Sequence, residues 1–328
     1  MLGHGATHPE PSGADAVQLE GCGFQHETLF YDGEAGFLKG TLPFVRQGIA
    51  QGEPVLVAVS RERIQLLEYA LGEEAGAVLF ADMHTLGSNP ARIIPAWRRF
   101  LDDHAPDGRP VRGIGEPIWP GRSDSELTEC QRHESLLNVA FDEGPAWRLL
   151  CPYDMGSLDH EVIRAAEESH PFVSDGSISH RNESYLHARD TDGPFAGELP
   201  APGAHHQELQ FTGEDLGRAR RLVRRFAADA GLPGARIDDL VLAVDELASN
   251  SIYHGGGLGT LRIWREDGTL LCEVCDRGQI TEPLVGRIHP AADQWTGRGL
   301  WLVHHLCDLV QIRSSADGSV VRVHLSLR

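Results

Sequence analysis

The chain has 328 residues, 41% of them hydrophobic and 23% charged, a balance suited to soluble folded protein and long enough for two domains of ordinary size. Its formal net charge is −19, with nearly all of the excess acid upstream of His205, which argues against direct DNA or RNA binding because phosphate contacts need clustered positive charge. No apolar run reaches about eighteen residues, and Met1 to Glu20 has neither a basic start nor an apolar middle, so neither a membrane span nor an export signal is expected and the chain reads as cytoplasmic.

Residues 1–23 are small and polar without period and read as a disordered tail. Residues 24–188 alternate strand-like and helix-like stretches. Pro54 to Val59, Ala77 to Phe80, Val111 to Gly115 and Trp147 to Cys151 read as strands, with helices over Arg61 to Leu71, Ala91 to Asp103 and Glu126 to Phe141. This is the rhythm of an α/β domain with a parallel sheet covered by helices. Residues 189–206 are rich in Gly and Pro and read as a flexible linker. From 207 to 328 the order is a short strand at Glu208 to Phe211, a helix after an N-cap at Thr212, a second helix from about Ala235 to Tyr253, and two strands. A loop, a helix at Arg298 to Leu306 and two final strands follow. An α+β domain with helices on one face of a mixed sheet is expected.

The six cysteines (Cys22, Cys130, Cys151, Cys272, Cys275 and Cys307) are too scattered for a disulfide framework. Cys272 and Cys275 form a C-x-x-C, but on an alternating strand they point to opposite faces, which disfavours zinc or redox chemistry there. The helix Arg218 to Arg225 presents five arginines around an apolar stripe. That face is either simply solvated or a docking surface for an acidic protein.

Chemistry concentrates late in the chain. Glu246 and Asn250 are four apart and share a helix face, with His254 and Gly255 following. Asp276 ends a buried-looking strand directly before Arg277 and Gly278, where a glycine lets backbone approach a ligand. Gly297, Arg298, Gly299 and Leu300 open the last helix, whose exposed N–H groups and dipole suit phosphate. In this order and spacing the segments resemble the N-box and two glycine boxes of the GHKL (Bergerat-fold) ATPases, in their anti-sigma serine-kinase branch, over about Gln207 to the end.

The resemblance implies ATP and Mg²⁺ as cofactors. Asn250 would hold Mg²⁺, Asp276 would accept the adenine amino group beside Gly278, and the Gly297, Arg298, Gly299 and Leu300 turn would close over the phosphates. Glu246 would be the general base toward a serine hydroxyl. It also implies a sigma factor, an anti-anti-sigma protein, or both as partners, and leaves a homodimer open. One departure is that Gln279 and Ile280 follow Gly278, so the second glycine common in the first box is missing. The lid between the boxes, Gln279 to Thr296, is short and holds Pro283 and Pro290. A protein-binding module in which ATP is structural or not bound therefore stands beside the kinase reading.

Upstream, His26 to Tyr31, Gly115 to Trp119, His133 to Asn138, Leu149 to Asp154 and Ser169 to Pro171 resemble segments of the MEDS sensory domains. That resemblance implies a RecA-like sheet and a small organic ligand. No Gly-x-x-x-x-Gly-Lys-Ser/Thr occurs, so the phosphate cradle of RecA-like domains is missing. His26, His133, Cys151, Asp154 and His170 could converge at the C-terminal strand ends, taking either a metal or small ligand or only core hydrogen bonds.

Overall fold

The computed structural model describes residues 23–187, 195–290 and 297–327. The tail up to residue 22, the first part of the linker and residues 291–296 of the lid lie outside the described residues.

The first unit runs β1 (Phe24–Tyr31), α1 (Gly33–Gln51), β2 (Val55–Val59), α2 (Arg61–Leu71), β3 (Val78–Asp82), α3 (Met83–Leu86) and α4 (Ile93–His104). It continues through β4 (Val111–Gly115), α5 (Asp124–Ala140), β5 (Trp147–Asp154), α6 (His160–Ser169), β6 (Phe172–Ser174) and β7 (Ser179–Arg181). The sheet order is β3-β2-β4-β5-β1-β6-β7, parallel except for the β6–β7 pair. The mostly parallel sheet covered by helices is the one expected, and β1 lies between β5 and β6. Both faces are buried, as parallel sheets require. Phe37, Phe44 and Val45 of α1 and Leu67 of α2 cover one face, and Trp97, Leu136, Leu137 and Ala166 of α4, α5 and α6 cover the other. Ser60 caps α2, and Ser123 with Glu126 forms a capping box at the start of α5.

The second unit runs β8 (Gln207–Phe211), α7 (Leu216–Asp229), α8 (Gly234–His254), β9 (Gly259–Glu266), β10 (Thr269–Asp276), α9 (Arg298–Leu306), β11 (Leu309–Ser315) and β12 (Gly318–Ser326). Its sheet, ordered β11-β12-β10-β9-β8, is antiparallel throughout, a correction to the mixed sheet expected from sequence. Leu240, Val244 and Leu247 of α8 pack with Ala219 and Val223 of α7 against the inward residues of the strands. Cys272 belongs to this core, while Cys275 sits on the opposite face near Glu273 and Arg262, so the C-x-x-C is split as its spacing predicts.

The described end of the linker is not free. Phe195 O accepts a hydrogen bond from Ser314 N at 3.1 Å, extending the edge beside β11. Arg322 donates to Pro200 O at 2.7 Å while its Nε holds buried Glu273 at 2.9 Å. The outer face of the sheet carries buried polar groups that this segment helps to satisfy, which is why a Gly/Pro composition did not mean an unattached connector.

The two units are also joined directly. Glu129 on α5 is 3% exposed and lies 2.9 Å from Arg313 Nη1 of β11 and 3.8 Å from Arg287 Nη2, with Arg132 Nε at 3.9 Å. Leu284, four residues into the described lid from Ile280, packs into the hydrophobic cluster of the first unit. Asn89 and Arg92, before α4, donate to the C-terminal carbonyls of α9: Asn89 Nδ2 to His304 O at 2.9 Å and Arg92 Nη2 to His305 O at 2.9 Å. Those carbonyls have no partner within their own helix, so the first unit caps the second.

Gly176 closes the β6–β7 turn at φ 92°, and a Cβ there would land on Gly40 O of α1. Since backbone rather than a side-chain tip is in the way, Gly176→Ala is expected to cost about 2–3 kcal/mol of stability, read by chemical unfolding.

Candidate functional site

Helix α8, strand β10 and helix α9 meet at one end of the second sheet. The register of β10 ends at Asp276 opposite Gly259 of β9 and Ser319 of β12. There the carboxylate is held by three donors: Ser251 Oγ to Oδ2 at 2.6 Å, Ser319 Oγ to Oδ1 at 3.0 Å and Gly278 N to Oδ1 at 2.8 Å. A carboxylate offers about four lone-pair sites, so Oδ2 keeps one for a further donor. Ser251 and Ser319 were not singled out in the sequence; one follows Asn250 directly, and the other became visible only through strand register.

Glycines let the backbone pack closely around this group. A Cβ on Gly255 would come within 2.7 Å of Asp276 Oδ1, and one on Gly278 within 2.7 Å of His254 O. At the start of α9, Gly297 is left-handed at φ 84° and serves as the N-cap. A Cβ on Gly299 would stand 2.9 Å from Glu246 Oε2 and 3.3 Å from Asn250 Nδ2. The N-terminal turn of α9 therefore lies directly over Glu246 and Asn250, with Arg298 exposed there and Leu300 turned into the core. Glu246, Asn250, Asp276, Gly278, Gly297 and Gly299, singled out in the sequence, lie together at one end of the sheet. Ile280, where the second glycine of the box would stand, donates its backbone N–H to Ser314 Oγ at 2.8 Å and so fixes the start of the lid to β11.

In the first unit the five residues expected together divide. His26, Cys151 and His170 converge with Glu134, which was not a candidate, and all four are buried. Burial, then the neighbouring His170, pushes His26 down to about 4. The Cys151 thiol is pushed well above its ordinary range, by burial first and by Glu134 second. His133 is turned away from this cluster, as adjacent residues on a helix are, and burial pushes it down to about 3.

Asp154 lies elsewhere, at the C-terminal ends of the strands. There Arg63 pairs with it and with Glu116, and Tyr31 donates to Glu116 at 2.9 Å. A cavity of about 340 Å³ opens beside them, lined also by Phe37, His84 and Trp119. It has the size of a small-molecule pocket and sits where α/β sheets bind ligands. Three acidic side chains line it, Glu34, Glu62 and Glu116, as well as Asp154, a setting hostile to phosphate.

Among the described residues no helix is long and apolar enough to cross a membrane. Of the five arginines on α7, Arg220 pairs with Asp245 and Arg224 with Asp238, both on α8.

Residues 25–171 match the family model described as MEDS, the methanogen/methylotroph, DcmR sensory domain, and residues 209–325 match that of the histidine kinase-like ATPase domain. Among solved structures, the RsbU and RsbW domains of Rv1364c from Mycobacterium tuberculosis share 21% identity at a TM-score of 0.28. That match covers 37% of this chain and 32% of the other, about a third of its length, and is too loose to fix fold or function. No curated protein matches the chain. The chain thus joins a MEDS domain to a histidine kinase-like ATPase domain.

Because Asp276 is pinned on three sides, Gly255→Ala forces backbone and carboxylate apart and is expected to lower stability by about 1–3 kcal/mol. Gly234→Ala, in open space at the start of α8, should leave stability unchanged or slightly raised. Urea unfolding of the two variants side by side checks the contrast.

Proposed function

We propose that this MEDS–ATPase chain is an anti-sigma regulator that binds Mg-ATP in its second domain and phosphorylates an anti-anti-sigma protein on serine or sequesters a sigma factor, under control of the first domain. The observation that carries the reading is the gathering of Glu246, Asn250 and the Gly297 to Gly299 turn at one end of the sheet, with Asp276 beside them. The donor set suits the nucleotide. Asp276 keeps an acceptor site for an exocyclic amino group, Asn250 supplies a neutral oxygen for a hard cation, and the bare backbone at Gly299 brings the first amides of α9, a phosphate-binding element, next to both Glu246 and Asn250.

Bound Mg²⁺ would offset phosphate charge and leave the γ-phosphoryl open to attack. The residues of the chain do the rest. Glu246 lies on the same face of α8 as Asn250, one turn before it, and accepts the proton of the attacking hydroxyl, which is a poor nucleophile until that proton is taken. Asp276 fixes the base and so the register of the phosphates. The first amides of α9, next to Glu246, would hold them.

Control by the first domain is supported by where that domain touches the second. It holds the lid through Leu284 and Arg287, and the far end of α9 through Asn89 and Arg92. A small ligand in the cavity beside Arg63 and Trp119 would act on the same rigid sheet.

Incubation of the full chain with labelled ATP and candidate anti-anti-sigma proteins tests the reading. Asp276→Asn is expected to weaken nucleotide binding at least tenfold, since it turns an acceptor into a donor facing the amino group. Glu246→Ala should keep binding and lose serine transfer by roughly 10² to 10⁴. Nucleotide affinity untouched by Asp276→Asn contradicts the site. Binding with no transfer to any partner favours the silent module over the kinase.

A further inference from the structure

The four buried side chains gathered on β1, α5, β5 and the end of α6 have a donor arrangement that hydrogen bonds alone leave unbalanced. Asn138 Nδ2 donates to Ser169 O at 2.8 Å, so its Oδ1 is the atom facing His26 Nδ1 at 3.1 Å, and that ring nitrogen must be the N–H. His170 Nδ1 lies 2.7 Å from Ala166 O, a carbonyl that can only accept. Both rings therefore carry their fixed proton on Nδ1.

Their Nε2 atoms are aimed at the same carboxylate oxygen: His26 Nε2 stands 3.0 Å and His170 Nε2 3.3 Å from Glu134 Oε2. Cys151 Sγ is 3.4 Å from His26 Nε2. In neutral rings these are two lone pairs facing a carboxylate, with the Cys151 S–H the one proton shared among them, in a site where His26 and His170 are fully buried and Glu134 is 1% exposed. One extra proton would bridge one ring to Glu134 and leave the other opposed. Two would leave an excess positive charge in a dry core.

We propose that His26 Nε2, His170 Nε2, Glu134 and Cys151 Sγ form a closed binding site for a divalent transition-metal ion of the zinc class. One donor atom from each residue lies within 4.8 Å of all the others, and three of the separations, at 3.0 to 3.4 Å, approach the edge of a tetrahedron around such an ion. Bond lengths of roughly 2.0–2.3 Å give edges of about 3.3–3.8 Å. A carboxylate and a thiolate neutralise the dication, which removes the charge problem of the dry site. Each histidine donates its other N–H to an oxygen, the outer arrangement that orients metal-bound imidazole. Four protein donors leave no open position, so the centre is structural. It ties the two strands β1 and β5 to α5 and α6, and α5 also carries Glu129, the carboxylate at the contact between domains. The ion enters as the chain folds, with the Cys151 proton released to solvent.

The test is made on the full chain, unfolded and refolded under reducing conditions with Zn²⁺ or Co²⁺ and then desalted. Elemental analysis is expected to find one equivalent of zinc per chain, and the cobalt form to show thiolate-to-cobalt charge transfer in the near ultraviolet with tetrahedral visible bands. Cys151→Ser should remove the charge-transfer band, and His26→Gln should drop the metal to background. Cys130→Ser, at a buried thiol outside the cluster, should keep both signals. Wild-type chain that refolds in excess metal with background zinc and no cobalt band overturns the proposal, as does full metal content retained in both His26→Gln and Cys151→Ser. The wild-type spectrum stands even if a variant fails to fold.

Discussion

A single carboxylate, Glu129, stands between three guanidinium groups at the contact of the two domains, and much of the architecture depends on it. Arg287 and Arg313 are 5% and 6% exposed, so neither can shed its charge into water while the domains stay together. Removing charges from water costs several kcal/mol per ion and is offset only where a partner and further hydrogen bonds are in place. Arg313 also bonds Ile312 O, and Arg132 reaches Ala196 O of the linker. The carboxylate thus fixes β11, the lid and the linker in relation to α5. An apolar contact would tolerate sliding, whereas this one holds a register.

That register matters because of what lies at either side. Gly286 of the lid, at φ 71°, packs so closely on α9 that a Cβ there would come within 2.9 Å of Leu300. Helix α9 starts over Glu246 and Asn250 and ends on Asn89 and Arg92. A shift of the first domain would therefore reach both the lid and the helix that the phosphates are proposed to meet. The candidate nucleotide site and the cavity of the first domain are physically connected through a few elements, which gives the proposed control a route without any large rearrangement.

Much of this was legible in the sequence, unevenly. The helical period of α8 put Glu246 and Asn250 on one face, and glycines beside Asp276 and at the start of α9 marked close approach, but it was their resemblance in order and spacing to the boxes of a known ATPase family that joined them into one candidate site. Helix α1 was missed because Gly36, Gly40, Pro43 and Gly48 break its pattern; Gly40 and Gly48 are there to let Leu29, Val55 and Arg112 come close. Strand direction in the second sheet is set by pairing, which local periodicity does not report, and Ser319 joins Asp276 only through that pairing. Glu134 was passed over as an ordinary helix residue, since its three companions come from β1, β5 and the end of α6 and no spacing links them. The linker's composition described its conformational freedom in isolation and said nothing of the buried polar face it covers.

The claim that the first domain holds the lid of the second is tested most directly by amide hydrogen exchange across residues 279–290 in the full chain, wild type against Glu129→Gln. Loss of the charge is predicted to speed exchange in the lid and in the last turn of α9, while β9, β10 and the first sheet keep their protection. Equal exchange in the two proteins throughout that segment would contradict the account.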